Sequence, residues 1–203
     1  MIDRSKPYSG IARLLHWMNA AATLGLISSG WAIYNAAAFY PFEFPVWAAL
    51  GGYLTNALRW HFFFMWVFAA ALAAMIGLRV FARRGGPRLW PVLPGALISD
   101  LRAALSFRLD HEVGIYNHIQ RLLYLGVLAL GCLSIVSGLA LWKPVQLAIL
   151  ADLLGGYEFA RRAHFWSMAG ICAFVAVHLV MVLVVPSSLG RMLFGAQRQP
   201  GEV

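Results

Sequence analysis

The stretch Ala163-His164-Phe165-Trp166-Ser167-Met168-Ala169-Gly170-Ile171-Cys172-Ala173-Phe174-Val175-Ala176-Val177-His178-Leu179-Val180-Met181-Val182-Leu183-Val184-Val185 decides how this chain folds. No charged side chain interrupts it. Wound as a helix rising about 1.5 Å per residue, it is long enough to cross the roughly 30 Å hydrocarbon core of a bilayer. It also carries two histidines, fourteen positions apart. At about 100° per residue that spacing returns to within about 40° of the same face with a rise of about 21 Å. One helix thus offers an imidazole near each membrane surface.

Working outward, three more charge-free stretches lie between Arg13 and Glu43, Arg59 and Arg79, and Arg121 and Lys143. Each holds the roughly 20 apolar residues that a spanning helix needs. Four spans are therefore expected, at about residues 14–39, 60–81, 122–142 and 163–185, in an all-α, integral membrane four-helix bundle forming a single domain over residues 1–203. The composition agrees, with 61% hydrophobic and only 12% charged residues in 203, far from a soluble globular chain. The uncharged segment from Phe44 to Leu58 contains Pro45 and the Gly51-Gly52 pair and is short for a crossing, so it reads as an interfacial or re-entrant connector.

A net charge of +8 raises the question of nucleic acid, but no basic run is interleaved with base-stacking aromatics. The positive-inside rule accounts for the charge. With four spans, all but Arg59, Lys143, Arg161 and Arg162 of the 16 basic residues fall on the side of the termini and the loop between spans two and three. This predicts both termini in the cytoplasm of a bacterial inner membrane. The first apolar stretch is too long for a signal-peptide core, although Ala36-Ala37-Ala38 resembles a cleavage site, and is expected to be retained. Cys132 and Cys172 fall inside spans, where they read as packing residues rather than a disulfide.

The loop of residues 82–121 carries Ile98, Leu101, Leu105 and Leu109 at helical spacing, a pattern for a short amphipathic helix on the cytoplasmic face. The connection from Lys143 to Arg162 holds Gly155-Gly156 and leaves no room for an extramembrane catalytic domain; the tail after Gly195 is expected to be disordered.

Four of the six histidines sit in or at the ends of the spans. Tracing the chain, His16 enters near the inner surface and His61 near the outer one. Each histidine of the fourth span then has a partner at its own depth: His61 with His164 outside, His16 with His178 inside. Ionisable side chains at membrane depth are costly and usually functional, and neutral imidazole is a standard axial ligand of haem iron. Two b-type haems held by histidine pairs satisfy all four residues at once. A bare zinc ion fits less well, since no carboxylate or cysteine lies at either depth to complete its ligands.

Gly25, Gly30, Gly126, Gly131, Gly138 and Gly170 offer small faces, either for a flat cofactor or for helix packing. Arg13 inside, and Arg59 or Arg162 outside, are candidates for propionate partners or ordinary membrane anchors. His111, between Asp110 and Glu112, reads as solvated. His118 opens the third span beside Tyr116, Asn117 and Gln120, a cluster able to hold the carbonyls of a quinone or, through Asn117, to cap the helix.

These residues resemble the bacterial cytochrome b561 superfamily, and within it the membrane gamma subunits of formate dehydrogenase, hydrogenase and thiosulfate reductase. The match rests on Arg13-Leu14-Leu15-His16-Trp17, His61, Tyr116-Asn117-His118-Ile119-Gln120 and the His164/His178 pair, and covers essentially the whole chain. It implies haem iron ligated by His61 with His164 and by His16 with His178, and a quinone site at Asn117 and Gln120. Arg121 stands where the family usually has Lys, which keeps the charge but changes the hydrogen-bond geometry. The resemblance implies a dihaem cytochrome b subunit linking a periplasmic molybdopterin or iron-sulfur oxidoreductase to the quinone pool, with electrons entering at the outer haem and passing inward. A stand-alone superoxide:quinone oxidoreductase of the same superfamily is the rival reading, and a haem-free transporter a third.

Overall fold

The structure, a computed structural model, describes residues 9–81, 91, 93–105, 117–184 and 186–195. Among them are seven α-helices: α1 (Gly10–Ala36), α2 (Leu54–Phe81), α3 (Pro94–Leu105), α4 (His118–Trp142), α5 (Ala148–Leu153), α6 (Tyr157–Val184) and α7 (Pro186–Phe194). The described residues form two compact units, one holding α1, α2 and α7, the other α3 to α6.

In the first unit α1 and α2 pair through small residues. Ser9 caps α1 by accepting the Ala12 N–H at 3.2 Å. One face of α1 then buries Ala22, Gly25, Ser29 and Ala32 at helical spacing, and α2 buries Ala57 and Ala71. Phe64 lies so close to Gly25 that a Cβ there would collide with its ring. Such faces suit helices that pair in lipid, where packing and not hydrophobic exclusion drives association. Large apolar side chains accordingly point outward; Trp66 is 61% exposed.

The connector between α1 and α2 folds back onto α1. The Leu50 N–H reaches both the carbonyl and the hydroxyl of Ser28, each at 3.1 Å, more than two turns before the end of α1. The Ser28 hydroxyl donates to the Ala48 carbonyl, and Asn35 pairs with the Phe44 backbone in both directions at 2.9 Å. Gly51 and Gly52 adopt φ of 104° and 70°, which ends the connector and lets α2 begin at Leu54 rather than near Trp60. Arg59 therefore lies inside α2. Counting from the nearest charge trims a helix that begins before that charge.

In the second unit α4 buries Gly131, Ser137 and Ala140 and α6 buries Ala160 and Ser167, with Ala140 and Ala160 in one apolar cluster. Gly170 admits Leu130, whose nearest atom would be 2.9 Å from a Cβ there, and the Ser134 and Ser167 hydroxyls bond at 2.8 Å. Gly155 and Gly156 (φ 84° and 97°) turn the chain from α5 into α6, which starts at Tyr157, ahead of the expected Ala163. The amphipathic helix expected in the polar loop is α3, which includes Ile98; Leu109 lies outside the described residues.

Among the described residues three helices are long and apolar enough to cross a membrane, over Leu54–Leu78, His118–Trp142 and Tyr157–Val184. The first expected span is present as the 27-residue α1. It falls short in apolarity because His16, Asn19, Thr23, Ser28 and Ser29 lie within it. Helix α7 was not anticipated: the Arg13 guanidinium donates to the Leu193 carbonyl at 3.0 Å and the Trp17 indole to the Met192 carbonyl at 3.5 Å, so the start of α1 caps the end of α7.

Candidate functional site

Two histidines sit in seats of the same construction. In the first unit His61 of α2 meets Ser29 of α1, with Nδ1 3.0 Å from Oγ. Gly30 lies beside the ring; a Cβ there would stand 3.6 Å from His61 Cε1. In the second unit His164 of α6 meets Ser137 of α4, with Nδ1 3.1 Å from Oγ, and Gly138 lies beside that ring, a Cβ standing 3.2 Å from Cε1. His164 Nδ1 is also 3.1 Å from the Ser134 carbonyl. Both serines are fully buried. Each bonds back to the carbonyl four residues earlier at 2.6 Å, Ser29 to Gly25 and Ser137 to Leu133.

The remaining two histidines lie near the other ends of their helices. His16, half-buried in α1, meets the Trp17 ring edge-on at 5.4 Å. His178, exposed on α6, stacks on Phe174 with centroids 6.0 Å apart. Beside it an apolar groove of about 310 Å³ runs between α4 and α6, lined by Gly126, Leu130, Gly170, Phe174 and Val177 among others.

Depth follows from helix geometry within each unit. Ser29, which marks the level of His61, is thirteen residues along α1 from His16, or about 20 Å. His164 and His178 are separated along α6 by about 21 Å. Each unit thus carries imidazoles at two levels with nearly the same separation. The members of each expected pair, His61 with His164 and His16 with His178, belong to different units.

At the start of α4, Asn117 and Gln120 form a reciprocal capping box. The Asn117 side-chain oxygen accepts the Gln120 N–H at 2.8 Å, and the Gln120 side-chain oxygen accepts the Asn117 N–H at 3.3 Å. The capping alternative is therefore realised for both side-chain oxygens. The neighbouring His118 is held twice by Asp100 of α3: its backbone N–H donates to Oδ2 at 2.7 Å, and Nδ1 is 3.3 Å from the same atom. Arg121 donates to the Pro91 carbonyl at 3.1 Å. Tyr116 and His111 lie outside the described residues.

Several features fit a flat, iron-bearing porphyrin. Gly30 and Gly138 lie at the imidazoles, and Gly126 and Gly170 line the apolar groove together with Phe174, on which His178 stacks. Two donors, Arg13 Nε and Trp31 Nε1, are buried without a hydrogen-bond partner among the described residues. They lie three positions from His16 and two from Ser29, where an acidic cofactor edge would satisfy them. Gly25 serves helix pairing instead. Sequence reasoning passed over Ser29, Ser134, Ser137 and Asp100. The detectable signal was a Ser-Gly pair within an apolar helix, repeated in α1 and α4.

The family model for prokaryotic cytochrome b561 matches residues 7–195. A putative protein-methionine-sulfoxide reductase subunit from Azospira oryzae is 42% identical over 184 residues, covering 90% of this chain and 93% of that protein. No solved structure matches the chain.

Proposed function

Given that the chain belongs to the prokaryotic cytochrome b561 family, whose members are membrane proteins that bind b-type haem, we propose that it is the dihaem electron-transfer subunit of a methionine sulfoxide reductase. It joins the quinone pool to a catalytic partner on the outer side of the bacterial inner membrane. The observation that carries this reading is the matched spacing of imidazoles, about 20 Å in one unit and about 21 Å in the other. The name of the similar Azospira oryzae protein narrows the partner from molybdopterin or iron-sulfur oxidoreductases in general to a sulfoxide reductase.

In this reading α1, α2, α4 and α6 close into one four-helix bundle over residues 1–203, with both termini in the cytoplasm. His61 and His164 hold the outer haem, and His16 and His178 the inner one. Each bound haem supplies reversible one-electron transfer at its iron. The chain's residues do the rest: imidazoles fix the iron, small residues admit the ring, and the apolar shell excludes water.

Reduction of a sulfoxide to a sulfide and water consumes two electrons and two protons. Electrons therefore leave this chain toward the partner, opposite to the direction inferred from the gamma-subunit resemblance. Their source is a quinol at the inner end, which gives up two electrons and two protons to become a quinone. The side-chain amides of Asn117 and Gln120, whose oxygens serve the helix cap, retain N–H donors for the quinone oxygens. Beside them, His118 with Nδ1–H toward Asp100 presents Nε2 to accept a quinol hydroxyl proton, and the carboxylate stabilises the resulting imidazolium.

The test is a reduced-minus-oxidised spectrum with haem quantification of the purified chain. Two b haems per chain are expected, falling to one in His178→Ala with the inner signal gone. Undiminished haem in that variant overturns the ligand scheme.

A further inference from the structure

We propose that Ser29 and Ser137 are positioning residues that lock the outer histidines, His61 and His164, into the tautomer with the proton on Nδ1, so that both present Nε2 to the iron. This rests on the reading of those histidines as outer-haem ligands.

The argument follows the protons. A serine hydroxyl has one hydrogen and two lone pairs. At Ser29 that hydrogen is engaged by the Gly25 carbonyl at 2.6 Å, and at Ser137 by the Leu133 carbonyl at 2.6 Å. What each hydroxyl turns toward the imidazole, 3.0 and 3.1 Å away, is therefore a lone pair. A lone pair can only accept, so Nδ1 must be the donor. For His164 a second contact gives the same answer independently, since the Ser134 carbonyl, 3.1 Å from Nδ1, has no hydrogen to offer. A neutral imidazole carries one N–H, so both rings keep the Nε2 lone pair for a metal.

The arrangement is built twice by the same local code. Within the apolar run of a helix, a serine with no water at hand satisfies its hydrogen on its own backbone. The following glycine lies beside the ring in both, and at Gly138 it removes a Cβ that would crowd Cε1. The two copies share the Ser-Gly pair and the isoleucine two positions before it, Ile27 in one and Ile135 in the other, while the residue between differs, Ser28 against Val136. Coincidental packing has no reason to repeat both the hydroxyl and the glycine.

An Nδ1–H that donates a hydrogen bond makes the imidazole a stronger electron donor to iron and favours the oxidised haem. Removing the acceptor should therefore raise the outer potential. The experiment uses the full chain in detergent with its haems, comparing Ser29→Ala and Ser137→Ala with Ser29→Thr and Ser137→Thr. Threonine keeps a hydroxyl that can bond back to its helix. The readouts are a potentiometric titration of each haem and the low-spin ferric EPR spectrum.

In Ser29→Ala the reduced-to-oxidised ratio of the outer haem at fixed poise should rise roughly tenfold, about 59 mV for a one-electron couple, with a smaller rise in Ser137→Ala, where the Ser134 carbonyl still accepts from His164 Nδ1. The inner haem should stay unchanged, and the threonine variants should titrate like wild type. Loss of the outer haem alone in the alanine variants, restored by threonine, supports the proposal equally. Unchanged potential and EPR spectrum in fully loaded Ser29→Ala overturns it, as does identical behaviour of Ser29→Ala and Ser29→Thr. Failure of the underlying reading looks different: His61→Ala and His164→Ala would then keep both haems, whatever the serine variants do.

Discussion

Asp100 Oδ2 takes both the backbone N–H of His118, at 2.7 Å, and the approach of its Nδ1, at 3.3 Å. One carboxylate oxygen thereby ties α3 to the first turn of α4, and the side chains of both residues are only about a quarter exposed, at 22% and 24%. A carboxylate at a helix N-terminus is favoured by the helix dipole, so this grip stabilises the start of α4 whatever else it does.

If His118 accepts the quinol proton, His118→Gln should slow reduction of the haems by added quinol by about a hundredfold, within the usual range for a lost general base. Asp100→Asn, which keeps an oxygen for the backbone N–H but removes the charge, should cost less, and haem content should be unchanged in both. Stopped-flow absorbance across a pH series is the measurement. Wild-type rates in His118→Gln would remove the residue from the mechanism.

The two histidine seats differ in tightness. A Cβ would stand 3.2 Å from the ring at Gly138 and 3.6 Å at Gly30. Gly138→Ala should therefore displace His164 and alter or empty the outer site, while Gly30→Ala, at ordinary van der Waals distance, should be nearly silent. Haem quantification and ferric EPR decide between them, and equal sensitivity would mean that the ring contacts do not set the geometry.

Helix pairing in the first unit turns on the contact of Gly25 with Phe64. Gly25→Ala forces the ring to shift and should cost about 1–3 kcal/mol, as overpacking generally does. Much of that loss should return in the double variant Gly25→Ala/Phe64→Leu, where the smaller side chain makes room. Thermal unfolding in detergent, read as a double-mutant cycle, tests the coupling. Strict additivity would show that the two residues do not compete for the same space.

The apolar runs made the long helices readable, because length and absence of charge are properties of a stretch and need no tertiary information. The six-residue shift at Leu54 was hidden because Gly51 and Gly52, not Arg59, end the connector. Helix α1 was read as a span from its lack of charge, but it falls short in apolarity, since its polar residues, Ser29 beside His61 among them, dilute its hydropathy. The four histidines stood out because imidazole in lipid needs a reason. Ser29 and Ser137 did not, because serine in a membrane helix usually just bonds its own backbone. Only the neighbouring helix reveals that the other side of the hydroxyl is in use. For Asn117 and Gln120, sequence pointed to two roles and could not show that one of them occupies both oxygens.

Ser28 and Ser29 are consecutive. The first is bonded to the connector, whose tip residues Val46 and Trp47 are 74% and 90% exposed, and the second to the His61 imidazole. Mechanically, the tip and the ring are therefore in series, with a single peptide unit as the link. The seat of His61 and the fold of the connector thus share one short piece of α1 backbone, so a substitution at Ser28 that disturbs the connector also bears on the backbone that carries Ser29.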